Sequence, residues 1–273
     1  MSDDEQLVRH VESHLVAEVA GPATLAIEVS VADADPATVD ELLEVRLDGV
    51  RIRADALPAT AGGRVHRVQA GEGRLTVDYR ATVAGRAAPP IASPSDRLQF
   101  LRPSRYAESD RLEAVARAEF AGITDHRDLL DAVSSWVGAR LEYVPGSSQA
   151  TDGAVDTMLE RRGVCRDYAH LVTALLRARD VPARLAAVYA PGLDPMDFHA
   201  VVEAALDDRW YVVDATLLAP RRGLVRIATG RDAADTAFLS NYGAPVELLE
   251  ISVSAWTDGS LPSDDINELV ALG

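Results

Sequence analysis

The sequence predicts an α+β fold: a β-rich, sandwich-like N-terminal domain, then a core of helices followed by strands. Three observations carry this. Up to about residue 86, apolar residues alternate or cluster in short runs separated by Gly, Pro and Asp, as strands require. The stretch "AGRAAPPIASPSD", with three prolines, suits neither a central strand nor a helix interior and marks a boundary near residues 85–96. From about residue 108 the apolar period becomes helical, and beyond Pro182 strand-like runs return.

In chain order, "LAIEVSVADA", "LLEVRLDGVRIRADAL" and "GRLTVDYRATVAG" read as strands. "AGEGR" at 70–74 reads as a hairpin loop between "RVHRV" and "RLTVDYRATV". Residues 1–95 are assigned to this β-rich domain and residues 96–273 to the core with a C-terminal extension. "SDRLEAVARAEFAG" opens a helix with a Ser-Asp cap pair, and "TDHRDLLDAVSSWVGARL" places Leu129, Leu130, Val133, Trp136, Val137 and Leu141 at helical spacing. "AVDTMLERRG" gives a short helix stopping at Gly163. The next helix, roughly Cys165 to Arg179, ends before Pro182. Its Tyr168, Ala169, Leu171, Val172, Leu175 and Leu176 cover most of its circumference, so it should lie inside the domain. "ARLAAVYA", "HAVVEAAL" and "RWYVVDAT" follow as strands.

Composition narrows the function. A net charge of −16 repels phosphate backbones and anionic membrane surfaces, which disfavours nucleic acid and membrane as partners. All 27 basic residues are arginine, so the chain offers no side-chain primary amine as a nucleophile or Schiff-base former. The single cysteine cannot form an internal disulfide, and "MSDDEQLVRH" lacks the regions of a signal peptide, so a cytoplasmic location is expected. No run of eighteen apolar residues marks a membrane span.

That lone thiol, Cys165, sits in the first turn of a helix, where unpaired N–H groups and the dipole favour thiolate. Gly163 should let the chain turn tightly into the helix. The alternative for a lone cysteine is an inert core filler. His170 lies about 140° around the same helix and diverges from the thiol, while His10, His14, His66 and His126 fall in the acidic tail, the β region or the helical lead-in. His199 differs. If the turn at Asp207–Asp208 pairs Leu206 with Arg209, then His199 and Asp214 share a face as diagonal neighbours, within side-chain reach. A carboxylate-oriented histidine is what a cysteine nucleophile needs.

Quoted together, "GVCRDYAHLVTALLRARDVPAR", "DFHAVVEA" and "RWYVVDAT" resemble the transglutaminase-like superfamily, with Cys165, His199 and Asp214 in that family's order and spacing. The resemblance extends over roughly residues 101–245 and is nearest to bacterial members usually described by the phrase "putative cysteine protease". It implies a papain-like α+β core with Cys165 as nucleophile, His199 as general base and later acid, and Asp214 orienting the histidine. "GRDAAD", residues 230–235, matches the family's tail and should cap a helix burying Ala233, Ala234 and Phe238. Val201 stands where many relatives carry an aromatic residue.

The expected function is cysteine-dependent acyl transfer, foremost hydrolysis of peptide or amide bonds through a thioester. Transfer from glutamine to an amine is the alternative, and a non-catalytic module keeping the fold is a second. Absence of H-E-x-x-H, paired cysteines, G-x-S-x-G and Walker A patterns argues against metal, serine or nucleotide chemistry, so no cofactor and no metal are expected. The expected partner is a peptide, protein or small amide substrate; the residues set no oligomeric state. Tyr143, Gln149 and Trp210 are candidates for a second oxyanion donor beside the Cys165 amide, and Arg166 and Asp167 are expected to be solvated or paired at the helix start.

Overall fold

The computed structural model describes residues 7–33, 38–86, 88 and 90–272. The first six residues of the acidic N-terminal stretch and positions 87 and 89 of the Pro-rich boundary lie outside them.

Alternation builds the first half of the chain: β1 (Val8–Val19), β2 (Ala23–Ile27), β3 (Thr38–Leu47), β4 (Val50–Arg51), β5 (Ala54–Pro58), β6 (Arg64–Ala70) and β7 (Gly73–Ala84). Along β7, Leu75, Val77, Tyr79, Ala81 and Val83 point inward while the residues between them are more exposed, the period of two that a half-buried strand shows. His10 and His14 belong to β1 within a sheet, not to a tail.

The core follows: α1 (Pro94–Gln99), α2 (Ser109–Glu119), α3 (His126–Arg140), β8 (Glu142–Tyr143), α4 (Ala154–Glu160), β9 (Arg162–Gly163), α5 (Cys165–Arg177), β10 (Ala183–Tyr189), β11 (His199–Leu206), β12 (Arg209–Val213) and β13 (Val225–Gly230). β14 (Leu239–Gly243) and β15 (Val246–Thr257) close the order.

Two sheets, ordered β15-β1-β7-β3-β4 and β14-β2-β6-β5, stack into a sandwich. Val11, Leu15, Leu25, Ile27, Val68 and Val77 fill the space between them. This topology corrects two expectations. Residues 70–74 do not make a hairpin, because β6 and β7 belong to different sheets; both strands bury one face in the same core, so they stack instead of pairing. Nor does the chain divide once at residue 95, since β14 pairs with β2 and β15 pairs with β1 along nearly its whole length. The C-terminal strands complete the N-terminal sandwich.

The third sheet, ordered β12-β11-β10-β13, is antiparallel throughout. One face packs on the helices through Leu185, Val202, Ala204 and Val213 against Leu129, Val133, Leu171 and Leu175. The other buries Val188, Val201 and Val212 with Leu224 and Leu272, so Val201 is sealed in the core. α5 is central: from Asp167 to Arg177 every side chain is buried, as its apolar circumference predicted. Residues 258–272 strap the edge of this sheet, where the Val212 N–H donates to the Val270 carbonyl at 2.7 Å and Arg221 chelates Asp264 at 2.9–3.1 Å.

Helix ends adjust the sequence reading. Asp125 caps α3 by accepting from the Arg127 and Asp128 amides. Ser109 and Asp110 lie inside the first turn of α2, not before it. α4 stops at Arg161, whose φ of 54° is left-handed, rather than at Gly163. "GRDAAD" forms one 3₁₀ turn, Ala233–Asp235, capped by Asp232 but burying neither alanine. No helix among the described residues is long and apolar enough to cross a membrane.

Candidate active site

The approach to Cys165 is fixed by a short parallel pair. β8 and β9 align Tyr143 with Gly163, and the Val144 amide donates to the Gly163 carbonyl at 3.0 Å. The chain then enters α5, where Asp167 accepts from the Val164 amide at 2.8 Å in the manner of a capping box. Gly163 is required for space and not for a positive φ: a Cβ there would lie 2.6 Å from the Asp167 Cβ. Asp167 is buried, and its other oxygen accepts from the Ser148 hydroxyl at 2.9 Å. Arg166 in turn donates to Ser148 Oγ at 2.5 Å and to the Gln149 carbonyl at 2.7 Å. This pair is therefore built into the helix start, and the solvated alternative does not hold. Cys165 itself is half-buried at the helix tip.

His199 opens β11 and Asp214 follows β12. The hairpin keeps the predicted register, Leu206 opposite Arg209 and Val202 opposite Val213. The left-handed φ of 53° at Asp207 supplies the tight turn. His199 Nε2 lies 3.1 Å from Asp214 Oδ2, with both side chains at most 2% exposed. The second oxygen, Oδ1, accepts from the Thr216 amide at 2.9 Å and from its hydroxyl at 2.7 Å. Burial works against the charged carboxylate, but the bonds and charge of His199 and the bonds from Thr216 hold Asp214 below its ordinary range.

Burial also pulls the imidazole pKa down, yet the bonds and charges of Asp214 and Cys165 outweigh it and raise His199 to about 10. Nε2 is committed to Asp214, which leaves Nδ1 to face the thiol; the buried Nδ1 has no well-aligned hydrogen bond in this state. The structure thus brings Cys165, His199 and Asp214 together. With its pKa raised to about 10, the imidazole keeps its proton at neutral pH.

Tyr143 is the fourth neighbour. Its hydroxyl lies against both the amide and the sulfur of Cys165; burial first, then the sulfur's charge, pushes it up to about 12, so it keeps its proton at neutral pH. The other two candidate donors are elsewhere. Trp210 is fully buried against Phe100 and under the Arg184 guanidinium, and Gln149 is exposed, held through its main chain. His170 stays apart from the thiol, stacked on Tyr106 and accepting from the Ala233 amide at 3.2 Å. Sequence reasoning missed Thr216, although Asp-x-Thr is a recognisable local turn in which the Asp side chain binds main chain two residues on.

Comparison with known proteins agrees with this arrangement. The model of the transglutaminase-like superfamily core matches residues 113–215, a span holding all three residues. A crystal structure from Cytophaga hutchinsonii, described as a "putative cysteine protease", is 34% identical, covers 96% of each chain and superposes with a TM-score of 0.86. The uncharacterised protein ML0607 of Mycobacterium leprae (strain TN) is 25% identical over 147 residues, 51% of this chain; the chain spans about half, 53%, of that relative's length. With a 34% identical relative matched over nearly its full length and the family's core recognised around the cysteine, the chain belongs to the transglutaminase-like superfamily.

Proposed function

We propose that the protein is a cysteine hydrolase acting on peptide or amide bonds, with Cys165, His199 and Asp214 as its catalytic triad. The observation that carries this reading is the buried His199 set between the Asp214 carboxylate, 3.1 Å from Nε2, and the thiol. A module without chemistry would gain nothing from sealing an imidazolium beside its one cysteine, because burying charge is costly.

In the proposed cycle the Cys165 sulfur attacks the substrate carbonyl carbon, forming a C–S bond while the C=O electron pair moves to oxygen. The Cys165 amide and the Tyr143 hydroxyl are placed to donate to that oxyanion. In the resting protein these two groups face each other, so the substrate oxygen must come between them. His199 gives its Nδ1 proton to the leaving nitrogen, the C–N bond breaks and the amine departs, leaving a thioester. Neutral His199 then takes a proton from water, whose oxygen attacks the thioester; the C–S bond breaks, the acid leaves and the thiolate–imidazolium pair is restored. Asp214, fixed by Thr216, keeps Nε2 occupied and Nδ1 aimed at the reaction throughout.

An amine can replace water in the second half, which would make the protein a transferase. The absence of lysine favours keeping that reading in the test, since such an enzyme would present no side-chain amine to its own acyl intermediate. A reducing compartment keeps a lone thiol free, so the cytoplasm is the proposed location.

The test compares the native protein with Cys165→Ala for cleavage of a fluorogenic peptide-amide library and for incorporation of a labelled amine into glutamine peptides. Cleavage reduced by roughly 10⁴-fold or more in the variant is expected. Equal turnover by the two proteins would remove the mechanism, and amine incorporation without cleavage would replace hydrolase by transferase.

A further inference from the structure

Where the sandwich meets the core, a cavity of about 470 Å³ opens between Glu28 after β2, Thr60 after β5, Arg102 after α1 and the end of β13. It shares no lining residue with Cys165, His199 or Asp214, and its size is that of a small-molecule site. The sandwich contributes the Glu28 carboxyl and the Thr60 hydroxyl. The core contributes Arg102, Thr229, Arg231 and Asp235.

The charges in this cavity are not all matched. Arg231 and Asp235 satisfy each other with two bonds of 2.7 and 2.9 Å. Glu28 receives no hydrogen bond from any described residue, and its charged neighbour is another carboxylate, Asp235; burial first, then that repulsion, pushes it up to about 7. The Arg102 guanidinium, exposed and contributed by the core, makes no hydrogen bond or ion pair among the described residues. The cavity therefore carries an unmatched acid on its sandwich side and an unmatched guanidinium on its core side.

Ligand classes can be sorted against that pattern. A metal ion is disfavoured, because no group of three or more His, Cys, Asp or Glu among the described residues could hold one. A simple anion would meet Glu28 and Asp235, and a simple cation would leave Arg102 unmatched. A molecule with an ammonium at one end and a carboxylate at the other satisfies both walls, the carboxylate taking the two-pronged bond that guanidinium offers. We propose that this junction cavity binds a small zwitterion, a free amino acid or a short peptide with both termini free, its ammonium on Glu28 and its carboxylate on Arg102. The hydroxyls of Thr60 and Thr229 are available to the amide of a peptide. Such a ligand bridges sandwich and core, so binding stabilises the fold. An ammonium beside Glu28 favours its ionised form, so binding near pH 7 releases protons; Asp235, Arg231 and Arg102 are the other charged groups around it.

The test uses the full chain carrying Cys165→Ala, which cannot cleave a probe. L-alanine and L-alanyl-L-alanine are titrated calorimetrically at pH 7 in two buffers of different ionisation heat, beside N-acetyl-alanyl-alanine and alanyl-alanine amide. Expected are binding of at least one free zwitterion, about tenfold or greater loss with either capped form, and net proton release. Glu28→Gln should weaken binding about tenfold and abolish the proton release, whereas Arg102→Ala should weaken it and keep the release. Circular dichroism and the melting temperature without probe show that each variant is folded. No binding of either zwitterion at about 10 mM overturns the proposal. So does capped dipeptide binding as tightly as free, or Glu28→Gln binding like its parent, since occupancy of the thiol cleft would be indifferent to Glu28.

Discussion

The start of β11 and the middle of α5 each seal a histidine away from water, and the pKa values of the two rings move in opposite directions. His199 has a carboxylate on one nitrogen and a thiol on the other side, and is raised to about 10. His170 has an amide donor on Nε2; burial first, only partly offset by Asp232 and reinforced by Arg166 and Arg177, lowers it to about 3. Burial is common to both, so the bonded partner decides the sign. A third pair shows that a short distance alone does not make such a site. His14 and Asp78 on the sandwich approach to 2.7 Å, closer than His199 and Asp214, but their side chains are 36% and 45% exposed and water screens them.

The largest expected effect breaks the contrast at its source. Asp214→Ala should reduce kcat/KM by roughly 10³- to 10⁴-fold. It should also move the alkaline limb of the pH–rate profile, set near 10 by loss of the His199 proton, to lower pH by more than about one unit, because the carboxylate that raises the imidazole is gone. An unmoved limb would mean that another group sets it. The same pair bears on stability: its contribution is complete below the ordinary histidine value of about 6.5 and is lost as pH rises through about 10.

His170 has the opposite slope. The unfolded chain protonates this ring below about 6.5 while the folded chain resists down to about 3, so stability should fall on acidification by up to ~1.4 kcal/mol per pH unit in that window. In His170→Gln, urea midpoints measured between pH 4 and 7 should fall less steeply, with peptide cleavage retained. Identical slopes would show that the ring is not held neutral. The smallest effect belongs to the exposed pair: His14→Ala should change unfolding free energy by less than about 0.5 kcal/mol and leave turnover unchanged. A loss of cleavage there would mean that the sandwich surface takes part in the reaction.

The polar pair was legible in the sequence because its register depends on a two-residue turn. Once Leu206 faces Arg209, the places of His199 and Asp214 follow from the strand period. The buried circumference of α5 was legible for the same local reason. What escaped were relations between distant segments. Alternation along β6 and β7 says which face is buried but not which strand is the neighbour, so the loop between them read as a hairpin. Pairing of β15 with β1, residues more than two hundred positions apart, leaves no local mark. Tyr143 was nameable as an aromatic ahead of the thiol, but its place came only from the two-residue pair of β8 with β9.

That late-returning strand also governs the order in which the protein can be completed. During synthesis β1 leaves the ribosome first, yet β15, which covers its free edge, is made only after the whole core has been translated. At about 5–20 residues per second, β1 waits on the order of ten seconds or more for its last neighbour. The helical core and its sheet can therefore assemble while the sandwich still shows an open, aggregation-prone margin, and chaperone demand should be concentrated in that interval.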